Sequence, residues 1–199
     1  MFKKILTGFW LVLLAITIGL LFWYNDLVYS RPTPVPHNYK AVAIVTVVKL
    51  PGLLCGYNNK PLFLHFFNPD CPCSRFNTRT FKALVKTYRG KVNFAVVVVS
   101  KTQPDLQAIS ENFGGIPAVQ DRSISAICGV YSTPQAVLLD GSNKLYYRGN
   151  YNRGRYCNDE KTNFAKIAID QLLQNDVHPA FNPMALRAYG CQLPGCKKD

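Results

Sequence analysis

A strand-to-helix junction that carries two cysteines is the most informative stretch of this chain. The apolar run Pro61–Phe67 has the length and composition of a buried strand, and Asn68-Pro-Asp leads from it into Cys71-Pro-Cys73. Between Ser74 and Tyr88 one helical face is expected to carry the apolar residues Phe76, Phe81, Leu84, Val85 and Tyr88. Pro72 fits the first turn of a helix, where unpaired N–H groups and the helix dipole favour a thiolate. The sequence therefore predicts a reactive cysteine at position 71.

The partner of Cys71 is left open by the sequence. A disulfide between Cys71 and Cys73 would close a small, strained ring, and a strained disulfide is a better oxidant. Cys157 follows an arginine-rich loop and is a candidate resolving thiol. It could instead form a structural disulfide with Cys128, which is the role we prefer for it. Two inert cysteines at positions 71 and 73 are the alternative to a reactive pair.

The number of cysteines bears on the compartment. Seven in 199 residues favour disulfides outside the cytosol over a reducing environment, and the odd number leaves one thiol over. Cys191 and Cys196 lie close together in the C-terminal tail. A local disulfide between them is a better interpretation than catalysis.

The N-terminus predicts a membrane anchor. Lys3 and Lys4 precede a run of about twenty uncharged residues, Ile5–Tyr24, which as a helix would cross about 30 Å of hydrocarbon. The lysines are expected on the cytoplasmic side. No small-residue cleavage site follows, which favours an uncleaved anchor over a signal peptide. We therefore expect a single-pass protein of the bacterial inner membrane with its C-terminal domain in the periplasm.

The remaining chain reads as one α/β domain between a linker and a tail. Strands alternate with helices, and a hairpin and a closing helix follow, which predicts a three-layer sandwich with a mixed sheet. The predicted divisions are an anchor at 1–24, a proline-rich linker at 25–40, the domain at 41–178 and a cysteine-containing tail at 179–199. The predicted strands are 41–48, 61–67, 92–99, 136–140 and 144–148, and the predicted helices are 74–88, 106–113 and 161–175.

Several motifs in order carry a resemblance to a known family. The approach Phe66-Phe-Asn-Pro-Asp-Cys71 resembles the active-site approach of thioredoxin-like proteins, and Thr133-Pro134 resembles their cis-proline element. Residues 121–139 are similar to the central insertion and following strand of the membrane-anchored TlpA/ResA-like branch. The resemblance spans about 60–175 and implies a thioredoxin-like fold, in which Pro134 packs against the active-site cysteines and docks the substrate backbone. This chain departs from the usual C-x-x-C motif, because Ser74 stands at the second cysteine position.

His65 has two interpretations, and the first comes from the same resemblance. It lies where thioredoxins often carry a buried acid that relays protons, and a histidine titrates near neutrality. A core histidine whose nitrogens are satisfied by hydrogen bonds is an equally good interpretation. The sequence does not choose between them.

Thiol–disulfide exchange with cysteine-containing protein substrates is the expected function. Cys71 would be the nucleophile, Cys73 or Cys157 would resolve the mixed disulfide, and Pro134 would dock the partner. A copper chaperone with Cys71 and Cys73 as ligands is the second hypothesis, weakened by a content of only 2 Met and 3 His. A non-catalytic thioredoxin-like binding domain is the third. The net charge of +12 is scattered, which fits anionic lipid headgroups better than nucleic acid.

Overall fold

The computed structural model describes residues 2–24, 31–54, 59–154, 159–176 and 179–193. The chain divides into two units, 1–31 and 32–199. The first unit contains one long helix, α1 (Phe2–Phe22), which buries none of its side chains. By length and composition α1 could cross a membrane, and a signal sequence near an N-terminus has the same properties. The segment predicted as an anchor therefore contains a helix whose length and composition would allow it to cross a membrane.

The second unit is built on a mixed sheet. Its strands are β1 (Leu62–Phe67), β2 (Asn93–Val98), β3 (Ala118–Val119), β5 (Gln135–Leu139) and β6 (Leu145–Gly149), in the spatial order β3-β2-β1-β5-β6. β1, β2 and β3 are parallel, whereas β5 runs antiparallel to β1 and β6 antiparallel to β5. A second, two-stranded sheet pairs β4 (Ser132–Thr133) with β7 (Cys191–Gln192). The helices of this unit are α2 (Pro72–Tyr88), α3 (Leu106–Asn112), α4 (Arg122–Cys128), α5 (Phe164–Leu173) and α6 (Pro183–Leu186).

Helices and loops cover both faces of the five-stranded sheet. All six residues of β1 are buried, and they alternate between two apolar clusters. Phe63 and Phe67 face the cluster completed by α2 and α5, whereas Leu62, Leu64 and Phe66 face the cluster completed by α4 and by residues 42–54. This alternation follows from the period of two of side chains along a strand. The architecture confirms the predicted thioredoxin-like three-layer sandwich.

The first predicted strand is wrong. Residues 41–48 form turns and one isolated bridge, Val47 to Lys144, instead of a strand. Val45 has a φ of 72°, which takes the backbone out of the extended region. Its N–H donates to the Leu145 carbonyl, and the Val48 N–H donates to the Asn143 carbonyl, so residues 45–48 run beside the start of β6 without forming a regular strand. The β-branched composition reflects packing here rather than strand pairing, because Val42 and Val48 both contact the core.

The position of Phe76 was also predicted wrongly. Phe81, Leu84, Val85 and Tyr88 form the buried stripe of α2 as expected. Phe76 is 38% exposed, because at about 100° per residue it lies well away from those four around the helix.

Parts of the predicted linker and tail pack onto the domain. Thr33 is 5% exposed, and its hydroxyl lies 2.8 Å from that of Ser132. The Thr33 N–H donates to the carbonyl of Ala188, which is fully buried. The Asn150 amide donates to the carbonyls of Met184 and Arg187. The tail therefore runs back across the domain towards the end of β1, where the cysteines lie.

Candidate active site

Cys71 sits at the N-terminus of α2. It occupies the cap position in an extended conformation, with Pro72 in the first turn. The Cys71 N–H donates to the Asn68 carbonyl, and the Asn68 side chain accepts from the Asp70 N–H, which together form a tight turn after β1. No side chain caps the helix, so its dipole and first N–H groups act on the cysteine itself. The sequence prediction for the placement of Cys71 holds.

Ser74, the residue that replaces the second cysteine of the usual motif, has a structural role. Its side chain is fully buried, and its hydroxyl accepts a 3.1 Å hydrogen bond from the Asn68 N–H. The Ser74 N–H in turn donates to the Cys71 carbonyl. Ser74 therefore fixes the turn that carries Cys71.

Cys71 forms a disulfide with Cys191, which lies 120 residues away in β7. The Cα atoms of the two residues are 6.3 Å apart. A local Cys191–Cys196 disulfide is therefore wrong for this structure, because Cys191 pairs through β7 with β4 and points at Cys71. A Cys71–Cys73 disulfide is likewise not formed. Cys196 itself lies outside the described residues.

A third cysteine completes the cluster. Cys73 is 6% exposed and carries a thiol. The sulfur atoms of Cys71, Cys73 and Cys191 all lie within 4.8 Å of one another. They come from a helix cap, the first turn of that helix and a strand near the C-terminus. The fold thus assembles a disulfide with a neighbouring thiol, which is the minimum arrangement for exchange between three sulfurs.

The peptide bond between Thr133 and Pro134 is cis, as the resemblance implied. The Thr133 carbonyl oxygen lies 3.8 Å from the Cys71 sulfur. The Thr133 hydroxyl and the Gln135 side-chain oxygen are buried and have no hydrogen-bond partner among the described residues. The cis proline therefore borders the disulfide and has polar atoms on both sides of it.

His65 lies on β1, and its side chain is fully buried. Its Nδ1 lies 2.7 Å from the Tyr151 hydroxyl, and its ring stacks on Phe81 with the centroids 4.6 Å apart. Nε2 has no hydrogen-bond partner among the described residues. Burial lowers the pKa of His65 to about 3, so the ring is neutral at physiological pH in this structure. The pair His65–Tyr151 was not foreseen, and whether His65 relays protons stays a prediction.

Cys128 is a free thiol, which contradicts the predicted Cys128–Cys157 disulfide. It is fully buried at the end of α4, and burial raises the pKa of its thiol to about 12, although the nearby Arg148 acts in the opposite direction. Cys128 is therefore an unreactive, protonated core residue. Cys157 lies outside the described residues, and its predicted resolving role stays a prediction.

Cys191 is the main site residue that the sequence reasoning missed. Its pairing with Cys71 depends on the path of the tail across Thr33, Asn150 and β4, which involves contacts between residues far apart in the sequence. The only local sign is that Gly190-Cys191-Gln-Leu193 alternates like a short strand.

Known structures resemble this fold at low sequence identity. A hypothetical protein from Sinorhizobium meliloti 1021 is 18% identical and has a TM-score of 0.57, over 68% of this chain and 79% of that one. An uncharacterized conserved protein from Geobacillus kaustophilus is 18% identical with a TM-score of 0.58, over 68% and 77%. A thiol:disulfide interchange protein of the thioredoxin family from Chlorobium tepidum TLS is 18% identical with a TM-score of 0.46, over 71% and 97%. These likenesses concern the fold.

Sequence comparisons identify the family of the chain. No curated protein sequence matches the chain significantly. A family model, Domain of unknown function (DUF6436), matches residues 46–193, which include the whole three-cysteine cluster and the cis proline. The chain is therefore a member of the DUF6436 family, with a thioredoxin-like fold.

Proposed function

We propose that this protein is a thiol–disulfide oxidoreductase whose redox couple is Cys71 and Cys191. The observation that supports this most directly is the Cys71–Cys191 disulfide at the N-terminus of α2, beside the cis Thr133–Pro134 bond and with the Cys73 sulfur within 4.8 Å. A disulfide that served only to attach the tail would need neither the cap position nor a third cysteine beside it.

The exchange runs in two balanced steps. In the reduced protein the Cys71 thiolate, stabilised by the first N–H groups of α2, attacks one sulfur of a partner disulfide. A mixed disulfide forms, and the other partner sulfur leaves as a thiolate. The Cys191 thiolate then attacks the Cys71 sulfur, which closes the Cys71–Cys191 bond and releases the second partner thiolate. The partner gains two electrons and the protein loses two, and the reverse sequence oxidises a partner dithiol.

Cys73 supplies a second route for the resolving step. Its sulfur lies within 4.8 Å of the Cys71 sulfur, so it can attack a mixed disulfide at Cys71 when the strand that carries Cys191 is displaced. The direction of net reaction is set by the reduction potential of the couple relative to its partner.

The cellular location follows from α1 and belongs to the same proposal. Lys3 and Lys4 at its N-terminal end favour a cytoplasmic N-terminus. The domain would then face the periplasm of a bacterium, a compartment in which disulfides persist. Its partners there would be cysteine-containing proteins.

A redox titration tests the proposal. The full chain in detergent micelles is equilibrated across a glutathione series, its thiols are alkylated, and each cysteine is quantified by mass spectrometry. We expect Cys71 and Cys191 to change state together in one two-electron transition, while Cys128 stays a thiol throughout because it is buried. A Cys71–Cys191 bond that stays closed over the whole series, with no glutathione adduct on Cys71, contradicts the proposal and indicates a structural disulfide.

A copper-binding role is a second candidate, favoured by the three sulfurs. Thiolates are soft ligands that select Cu(I), and three within 4.8 Å of one another form a suitable donor set. Cys71 and Cys191 are joined in this structure, so the site would exist only after two-electron reduction. The sequence hypothesis of a site made by Cys71 and Cys73 gains Cys191 as a further ligand.

Metal titration of the reduced protein tests this candidate. We expect one Cu(I) per chain in competition with a chromogenic chelator, and a weakened site in a Cys191→Ser chain. A Cys128→Ser chain is the matched control, because it removes a buried thiol outside the cluster. Equal affinity in the Cys191→Ser chain and the parent would rule out the three-sulfur site.

A further inference from the structure

The tail strand β7 lies on the backbone edge next to the cis proline. Cys191 pairs with Thr133 and Gln192 with Ser132 in an antiparallel ladder, and the Leu193 N–H extends it to the Tyr131 carbonyl. This edge is therefore occupied by an extended segment whose cysteine is bonded to Cys71. Such a segment has the geometry of a polypeptide caught in a mixed disulfide.

Side chains alternate along this strand in a way that distinguishes two subsites. Cys191 and Leu193 are two residues apart, so both face the domain. Leu193 packs against the apolar cluster that contains Val130, and it lines a cleft of about 390 Å³ together with Val99 and Tyr131. The position two residues after the cysteine therefore takes a large apolar side chain.

The position before the cysteine requires glycine. Gly190 has a φ of +141°, which L side chains rarely adopt. A Cβ there would overlap the Thr133 carbonyl oxygen and press on the Pro134 ring at 3.3 Å. The backbone next to the cis proline is thus approached too closely for any side chain at this position.

Of the described part of the tail, only residues 190–193 can detach from the domain without disturbing the core. Ala188 is fully buried and bound to Thr33, and Arg187 is held by Asn150. Among the described residues 190–193, the noncovalent attachments are a hydrogen bond from the Thr33 hydroxyl to the Gly190 carbonyl, the short ladder with β4, a 3.2 Å hydrogen bond from Ser132 to the Cys191 carbonyl, and the Leu193 contact. After reduction of the disulfide, a competing strand has to replace these contacts.

We propose that β7 is a built-in substrate strand, and that the partner of this site is an extended polypeptide with the sequence pattern Gly-Cys-x-Leu or a similar aliphatic residue in the last place. The partner displaces residues 190–193 from β4, puts its glycine against Thr133 and its aliphatic side chain beside Val130. This inference rests on the proposed function, because the partner's sulfur is the one that Cys71 attacks.

Activated peptides test the pattern on the reduced full chain in detergent. Peptides containing Gly-Cys-Gln-Leu, Ala-Cys-Gln-Leu or Gly-Cys-Gln-Asp carry the cysteine as a 2-pyridyl disulfide. Attack by Cys71 breaks the bond between peptide sulfur and pyridyl sulfur, forms the mixed disulfide and releases pyridine-2-thione, whose absorbance gives the rate. The rate of a Cys71→Ser chain is subtracted as background from the other thiols. We expect the first peptide to react at least about tenfold faster than the other two, because each loses one subsite.

A variant of the tail gives a second readout with the opposite sign. Gly190→Ala should expel β7 from the edge and raise the rate with Gly-Cys-Gln-Leu by about tenfold. Gly115→Ala is the matched control, since Gly115 also has a positive φ of 76° but nothing within 4 Å of its added Cβ. It should react at the parental rate.

The outcomes separate this inference from the proposed function. Equal rates for the three peptides, or a Gly190→Ala rate at or below the parental one, overturn the built-in substrate strand even when Cys71 cycles in the glutathione series. If Cys71 reacts with no peptide and does not cycle, the proposed function fails and this inference fails with it.

Discussion

Replacing Cys71 with serine is expected to reduce thiol–disulfide exchange by the full chain, measured as insulin reduction with a thiol reductant, to the rate without protein. Cys71 occupies the cap of α2, where the helix stabilises a thiolate, and a serine hydroxyl has no comparable nucleophilicity at neutral pH. Cys73 has no such position, because it already lies inside the first turn. The other thiols of the cluster therefore cannot replace Cys71.

Two further variants make this result specific. Cys128→Ser removes a buried thiol whose pKa is raised to about 12, and the chain that carries it should retain parental activity if it folds. A chain with both Cys73→Ser and Cys191→Ser should retain attack by Cys71 but accumulate mixed disulfides, because both resolving thiols of the cluster are missing. Substantial activity in the Cys71→Ser chain would contradict the assigned nucleophile, and a doubly substituted chain without trapped partner would contradict the assigned resolving residues.

The features that could be predicted from the sequence are those determined by neighbouring residues. β1 alternates between two apolar clusters because its side chains have a period of two, and Cys71 caps α2 because Pro72 fits the first turn. The hairpin of β5 and β6 follows from turn residues, with Asn143 at a φ of 60°. Each of these rests on interactions within a few residues.

The features that failed depend on contacts between distant segments. Residues 41–48 have the composition of a strand, but Val45, at a φ of 72°, interrupts the extended backbone, and the segment forms an isolated bridge to Lys144 instead of a strand. Cys191 was assigned to a local disulfide because Cys196 is close in sequence, whereas Thr33, Asn150 and β4 guide the tail to Cys71. A period or spacing in the sequence carries no information on such a path.

Acidification is expected to destabilise the folded chain through His65. Burial lowers its pKa to about 3 in the folded state, against about 6.5 for an exposed histidine. Between these values the unfolded chain binds a proton that the folded chain excludes, so the free energy of unfolding falls as the pH falls. The loss between pH 7.5 and pH 5 is about 2 kcal/mol, which urea unfolding of the full chain in detergent at the two pH values can measure.

The variant His65→Asn isolates this contribution. In His65→Asn the amide can replace Nδ1 as the partner of the Tyr151 hydroxyl, and it does not titrate. We expect lower stability at pH 7.5, because the stacking on Phe81 is lost, but a pH dependence smaller than the parental one by about 2 kcal/mol.

The same measurement decides between the two roles that the sequence allowed for His65. A proton relay must gain and lose its proton near neutral pH, and a folded-state pKa near neutrality would leave almost no difference in proton binding between the folded and unfolded chains. A pH dependence that His65→Asn removes therefore identifies a neutral core histidine held between Phe81 and Tyr151. If the parent and His65→Asn lose the same stability on acidification, the folded chain does not exclude a proton from His65. A relay role then becomes the better explanation for a histidine on β1, the strand that leads to Cys71.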